Sequence, residues 1–355
     1  MHFADGTLNA EYTRYIGRKI AFILFGLLIL FFMILYSLSR GAANIPVIDV
    51  ARALAGIGAS KRFDIIVWQI RLPQVLTAVV AGAGLSVGGA VMQSILRNPL
   101  GSPFTLGISH AAAFGAAFAV MILGSGTMAS THVGAVTISN PYVTTGMAFV
   151  FAMLAAFFIV AVARMRRAAP ETMILAGVAL GALFTAGTMF LQFFADDVQL
   201  AAMVFWTFGD TARASWKELA VLAAVTVAAT LYFLFNAWNY NAVDAGDETA
   251  RSLGVRVERV RLTGMLAASF VTAVIVSFLC IIGFVGLVCP HMVRRLIGGD
   301  NRFLLPASAL LGAVLLLVSD TAARLILSPH LLPVSILTAF MGAPVFMVLI
   351  VKGRT

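Results

Sequence analysis

Charge is what this sequence has least of. Asp, Glu, Lys and Arg make up 11% of its 355 residues, while hydrophobic residues make up 61%. A soluble domain carries about 25% charged residues, so no water-facing surface could be assembled from this supply. A chain that crosses lipid must pair every backbone group inside helices or a closed barrel. A barrel would show alternating segments of about ten residues, and the long unbroken apolar runs here exclude it. The reading is an all-α polytopic membrane protein.

Other absences narrow the function. The two cysteines, Cys280 and Cys289, both lie in apolar sequence, which excludes a disulfide framework or thiolate metal cluster. No G-x-x-x-x-G-K-[ST] occurs, so the chain has no phosphate-binding loop of its own. No Ser/His/Asp set, H-E-x-x-H or carboxylate pair lies in the apolar runs, which argues against a membrane-embedded enzyme. His110 and His291 stand apart from other ligand types and read as structural, so no metal and no cofactor are expected. The first seven apolar runs hold no Asp, Glu, Lys or Arg between their ends. An ion-coupled secondary transporter, the alternative from another class, needs such groups to bind and relay its driving ion. The energy for transport must come from elsewhere. A net charge of +9 suggests nucleic acid only until the arginines are placed. They flank the apolar runs, and that removes nucleic acid as a partner.

Ten apolar runs are present, at 20–38, 72–96, 103–124, 141–163, 172–195, 217–236, 262–282, a short 283–297, 303–326 and 331–351. Most approach the ~20 residues that a span needs. The first lacks a small-residue cleavage site and reads as a retained span rather than a signal peptide. Ten is even, so both termini share a side. Lys and Arg favour one set of run ends by two to one, which places both termini in the cytoplasm. Residues 39–71 then form an outer hydrophilic segment, and 237–261 form the longest charged loop, on the cytoplasmic side.

Polar and small residues also fall in register. Gly84 and Gly88, like Gly177 and Gly181, have the spacing that lets membrane helices approach closely. Thr185, Thr188 and Gln192 share one helical face, as do Gly82, Ser86, Gly89 and Gln93. Helix–helix hydrogen bonding and a mildly polar pathway both remain open for these faces. "GFVGLVCPHMVRRLIGGDNRFLLP" (283–306) breaks an apolar run with Pro290-His291 and ends it on Arg294 and Arg295.

That stretch, with "RLPQVLTAVVAGAGLSVGGAVMQSILRNPLGSPFTLGIS" (71–109), "DETARSLGVRVERVR" (247–261), "SDTAAR" (319–324) and "LPVSILTAFMGAPVFMVLI" (332–350), resembles the iron-chelate, haem and vitamin B12 permeases of bacterial and archaeal ABC importers, the FecCD/BtuC-like family. The match runs from about residue 65 to the C-terminus. The resemblance implies a type II importer permease of ten spans, forming one domain over residues 1–355 in the plasma (inner) membrane. It implies a second permease copy, two ABC ATPase subunits that hydrolyse ATP in place of this chain, and an extracytoplasmic solute-binding protein. The substrate it implies first is an iron–siderophore chelate, with haem or cobalamin as alternatives.

Site expectations follow from the residues and the resemblance together. Residues 244–261 should couple to the ATPase through Asp247, Glu248, Ala250, Leu253 and Gly254. The acids suit the first turn of a short helix, and Gly254 allows a turn. Thr185, Thr188 and Gln192, with Ser86 and Gln93, should line the pathway, gated by Trp206 and Phe208. Arg71 and Arg324 lie on the outer side against the charge bias, and matching family positions dock the binding protein. Vitamin B12 members have a further arginine where this chain has Gln74, so Arg62 or Lys61 could substitute.

Overall fold

The computed structural model describes residues 10–41, 43–57, 60–127, 137–138, 140–326 and 332–352. Apart from one two-residue β-ladder (126–127 with 137–138), its regular structure is helical. In chain order the helices are α1 (Ala10–Ser39), α2 (Val47–Leu54), α3 (Lys61–Ile65), α4 (Leu72–Ile95), α5 (Ile108–Met121), α6 (Pro141–Met165), α7 (Pro170–Phe194), α8 (Asp197–Trp206), α9 (Trp216–Phe235), α10 (Ala237–Asp244), α11 (Asp247–Ser252), α12 (Val257–Leu279), α13 (Val285–Ile297), α14 (Asn301–Ile326) and α15 (Val334–Lys352). Local signals explain several starts. Pro141 and Pro170 open α6 and α7, where a missing N–H costs nothing. Capping boxes Asp196/Gln199 and Ser215/Glu218 open α8 and α9, satisfying orphan backbone donors.

Each of the ten expected runs coincides with a helix, but only seven helices among the described residues are long and apolar enough to cross a membrane alone. The count of ten is therefore approximate. The shortfall has a local cause in α5 and α13, of 14 and 13 residues. At 1.5 Å per residue each is about 20 Å long, short of a ~30 Å hydrocarbon core. Before α5 the chain runs through turns from Leu96 to Gly107. Between α12 and α13 it leaves the helix at Cys280 and re-enters at Phe284, both in the left-handed region (φ +62° and +67°). Conversely, the outer segment expected as a hydrophilic loop is largely helical. Its α3 runs through a π-helical stretch, Ile66–Arg71, straight into α4.

Helix α4 is the hub, packed against α14, α12, α13 and α9. Two glycine pairs set this arrangement. A Cβ on Gly82 or on Gly312 would lie 2.3 Å from the other's carbonyl oxygen, and one on Gly89 would lie 1.7 Å from that of Gly286. No other residue lets these backbones touch. Of the glycines expected to pack helices, Gly84 and Gly177 are tight, with an added Cβ 2.7 Å from Ile275 and 2.8 Å from Leu106, while Gly88 and Gly181 make ordinary contacts. Helix α13 begins against the middle of α4.

The bundle has two ends of different chemistry. Helices α1, α12 and α14 begin, and α4, α10 and α13 finish, at an arginine-rich end. At the other end α1 and α14 finish and α4 and α9 begin, and the first residue of α15, Val334, donates its N–H to Gly209 there.

Candidate functional sites at the two ends of the bundle

At the arginine-rich end, two short helices are bolted to the bundle by polar side chains. Asp247, in the first turn of α11, accepts two hydrogen bonds from Arg261 of α12, at 2.7 and 2.6 Å. Arg261 is 2% exposed, and its Nε donates to the Ile95 carbonyl at the end of α4. One guanidinium thus ties α11, α12 and α4 together. The Arg261 hydrogen bonds hold the Asp247 carboxyl below its ordinary range, against the opposing effect of partial burial.

A second knot lies beside it. Asn301, fully buried at the start of α14, donates its side-chain amide to Asn241 and Asp244 of α10, both at 2.9 Å. Ser94 of α4 donates to the same Asp244 oxygen at 3.0 Å. Burial pushes the Asp244 carboxyl above its usual range despite nearby Arg294, Asn301 and Ser94. Asp300 shows the reverse balance. Burial raises it, but Arg302 and Asn241 outweigh that and hold it at about 2.

This framework presents a defined surface. Glu248, Leu253 and Gly254 are exposed, with Leu253 at 68%. Gly254 sits at φ +82° with open space around it, making the turn between α11 and α12. Ala250 is fully buried and faces inward. Sequence reasoning placed the acids at a helix start correctly but missed Arg261, Asn241, Asp244, Ser94 and Asn301. No local signal marks them, because their partners lie on other helices, as Arg261 and Ile95 do.

The expected pathway residues separate into two groups. On α7, Thr185 and Thr188 turn their hydroxyls back to the Gly181 and Phe184 carbonyls, at 2.8 and 2.9 Å. With Gln192 they are half-buried, at the margin of a broad exposed face that carries Val178, Leu183, Met189, Phe190 and Phe193. On α4, by contrast, Ser86 and Gln93 are 0% and 3% exposed. Gln93 donates to the Leu287 carbonyl at 3.0 Å. Ser86 lies where α14 presses on α4, against Gly312. Ser86 thus lies in helix packing, while Gln93 also lines a recess with Arg97, Asn98, Pro99, Asp244 and Arg294.

The opposite end holds a cavity of about 750 Å³, lined by Arg71, Gln74, Phe205, Phe208, Asp210, Arg213, Asp320 and Arg324, among others. Phe208, one expected gate residue, is on its wall, edge-to-face with Phe205 at 5.9 Å. Trp206, the other, is 2% exposed and belongs to the hydrophobic core. Phe205, at 59% exposure, is the aromatic that sequence reasoning missed.

Both expected docking arginines are here, firmly held. Arg71 is 5% exposed and donates to the Leu38 carbonyl at 2.7 Å and to that of Ala43. Arg324 pairs with Asp320 at 2.9 Å and donates to the Ser37 hydroxyl at 2.6 Å. Gln74 also donates to Asp320, as does Thr211. These bonds lock the end of α1 onto α4 and α14. Lys61 and Arg62 are exposed nearby.

This arrangement of broken helices, a glycine-packed hub and a bolted helix pair has relatives. A sequence model of the FecCD transport family matches residues 28–352. The chain belongs to the FecCD transport family. An archaeal protein of Methanocaldococcus jannaschii, named provisionally as an ABC transporter permease, is 54% identical over 96% of this chain and 97% of its own. The hemin transport system permease of Yersinia pestis is 34% identical over 95% of this chain and 98% of its own. Members named for ferric citrate and vitamin B12 import match at the same 34%. A solved structure described as an inward-facing, metal-chelate type ABC transporter superposes with a TM-score of 0.80 at 29% identity. It covers 94% of this chain and 99% of that one. As a member of this family the chain is a multi-pass permease of ABC importers, a transport component rather than a catalyst.

Proposed function

We propose that this chain is the membrane-spanning permease of a binding-protein-dependent importer that moves an iron–siderophore-type chelate into the cytoplasm. In this reading residues 1–355 act as one permease domain in the plasma membrane, with both termini cytoplasmic, and pair with a second copy of the chain. Two separate ATPase subunits supply the energy. The observation that carries the reading is the α10–α11 platform. A pair of short helices fixed rigidly to α4, α12 and α14, with Leu253 protruding, suits transfer of force from a partner into the hub helix. Glu248, Leu253 and Gly254 make the contact, while Asp247 and Ala250 hold the platform. The exposed face of α7, edged by Thr185, Thr188 and Gln192, meets its counterpart across the pathway, with Phe208 at its outer end.

On the outer surface, Arg71 and Arg324 fix the docking surface from beneath, and Lys61 and Arg62 offer exposed charge to an acidic binding protein. Such charges steer encounter and weaken with salt. The relatives named for hemin and vitamin B12 make haem and cobalamin the competing substrates, and the ligand retained by the co-purified binding protein decides among them.

The test of coupling is reconstitution with the cognate ATPase and binding protein. Glu248→Lys and Gly254→Pro should each lower ATPase association and ATP-dependent uptake at least tenfold, while the permease still inserts. Undiminished association and uptake in both variants would overturn the assignment, as would uptake by the permease alone driven by an ion gradient.

A further inference from the structure

The cavity at the outer end carries charge that its own wall does not neutralise. Three arginines line it, Arg71, Arg213 and Arg324, against two acids, Asp210 and Asp320. Arg324 and Asp320 cancel as a pair. Arg71 forms no ion pair among the described residues, because its donors go to neutral carbonyls. Arg213 donates through one nitrogen to the Cys280 sulfur at 2.9 Å, a weak acceptor. Asp210 is the remaining acid, and its Oδ1 is already taken by the Ala212 N–H at 2.8 Å. Burial is the largest influence on that carboxyl and raises its pKa, opposed by the Ala212 N–H and by the charge of nearby Arg213. Counted as three arginines against two acids, the wall has an excess of one positive charge, and Arg213 is exposed within it.

Resting on the importer reading above, we infer that this cavity receives an anionic solute, one that carries carboxylates on an apolar or aromatic body. Arg213 is the receiving group. It has the planar, multi-donor head that suits a carboxylate, and its sulfur contact leaves most donors free. Phe205 and Phe208 supply the apolar surface beside it, and about 750 Å³ lies within the range of small-molecule sites. The break in the helix at Cys280 places that sulfur under Arg213 and orients the guanidinium. A neutral solute would gain nothing from this excess.

The charge can be read without knowing the substrate. In the full-length protein in lipid nanodiscs, Ala212→Cys places a thiol on the cavity wall, and the native cysteines are buried. Its rates of modification by sulfonatoethyl and trimethylammonioethyl methanethiosulfonates are compared, normalised to a free thiol. The anionic reagent should be favoured about fivefold or more at low salt, as one unscreened charge within ~8 Å predicts. Arg213→Gln should abolish the preference and Arg213→Lys should retain it, whereas Arg166→Gln, at an exposed position on the opposite end of the bundle, should leave it unchanged. Citrate should slow modification at least twofold beyond matched sodium chloride, and only while Arg213 is present. No anion preference, a preference indifferent to Arg213→Gln, or no protection by citrate would each overturn the proposal. If Arg213→Gln instead lost only binding-protein association, the arginine would belong to the protein partner and the inference would fall. None of these readouts depends on uptake, so failure here is separable from failure of the importer reading.

Discussion

Consider replacing Asp247 by asparagine, an exchange that keeps the shape and removes the charge. Arg261 is left 2% exposed with one backbone acceptor, the Ile95 carbonyl. Removing one partner from a buried ion pair costs about 3–5 kcal/mol, whereas an exposed pair is worth about 0–1 kcal/mol. The Asp247 side chain is 28% exposed, so an intermediate loss of about 2–3 kcal/mol is expected. At roughly 2–3 °C per kcal/mol for a chain of this size, the melting temperature should fall by about 4–9 °C. The assay is built into the protein. Cys280 and Cys289 are both buried, so a thiol-reactive fluorogenic dye reports the temperature at which the core opens.

The pH dependence gives the sign. The folded-state pKa of Asp247 is depressed, so its contribution is present above the unfolded value near 3.9 and disappears as pH falls through the folded value. The gap between parent and Asp247→Asn should therefore be constant from about pH 8 to 5 and close only below about pH 4. Adding Arg261→Leu to Asp247→Asn should recover part of the loss, because the uncompensated cation is gone. A parent-like melting temperature for Asp247→Asn at pH 7, or a gap that widens on acidification, would refute the reasoning.

Two further outcomes follow from the same geometry. Asp244→Asn should leave stability at pH 7 unchanged or raised, opposite in sign to Asp247→Asn. Burial already disfavours the ionised form, and an amide oxygen can still accept from Ser94 and Asn301; a melting-temperature loss above about 3 °C would contradict this. Thr185→Cys, Thr188→Cys and Gln192→Cys should react with a hydrophilic thiol reagent in at least one nucleotide state of the assembled importer, while Ser86→Cys stays inert. Three unreactive α7 thiols beside reactive neighbours would remove α7 from the pathway.

The sequence by itself determined the solvent, the helical class and the positions of the spans, because lipid makes hydropathy and backbone pairing decide together. It also pointed to Gly84 and Gly177 as places where helices come close. The approaches of Gly82 to Gly312 and of Gly89 to Gly286 were decided by the tertiary structure, because the sequence left that face open between packing and a pathway. The acids at 247 and 248 were legible as a helix start for an equally local reason. Tertiary structure alone decided the rest. It buried Ser86 and Gln93, whose helical spacing was that of a pathway stripe, and it placed Trp206, expected at the gate, in the hydrophobic core. It joined Arg261 to Asp247 and Ile95, Asn301 to Asp244 and Ser94, and Arg213 to Cys280, contacts between separate segments of the chain. Periodicity reports which face of a helix a residue occupies; which neighbour covers that face depends on how the helices are ordered around α4, and no local pattern in the chain encodes that order.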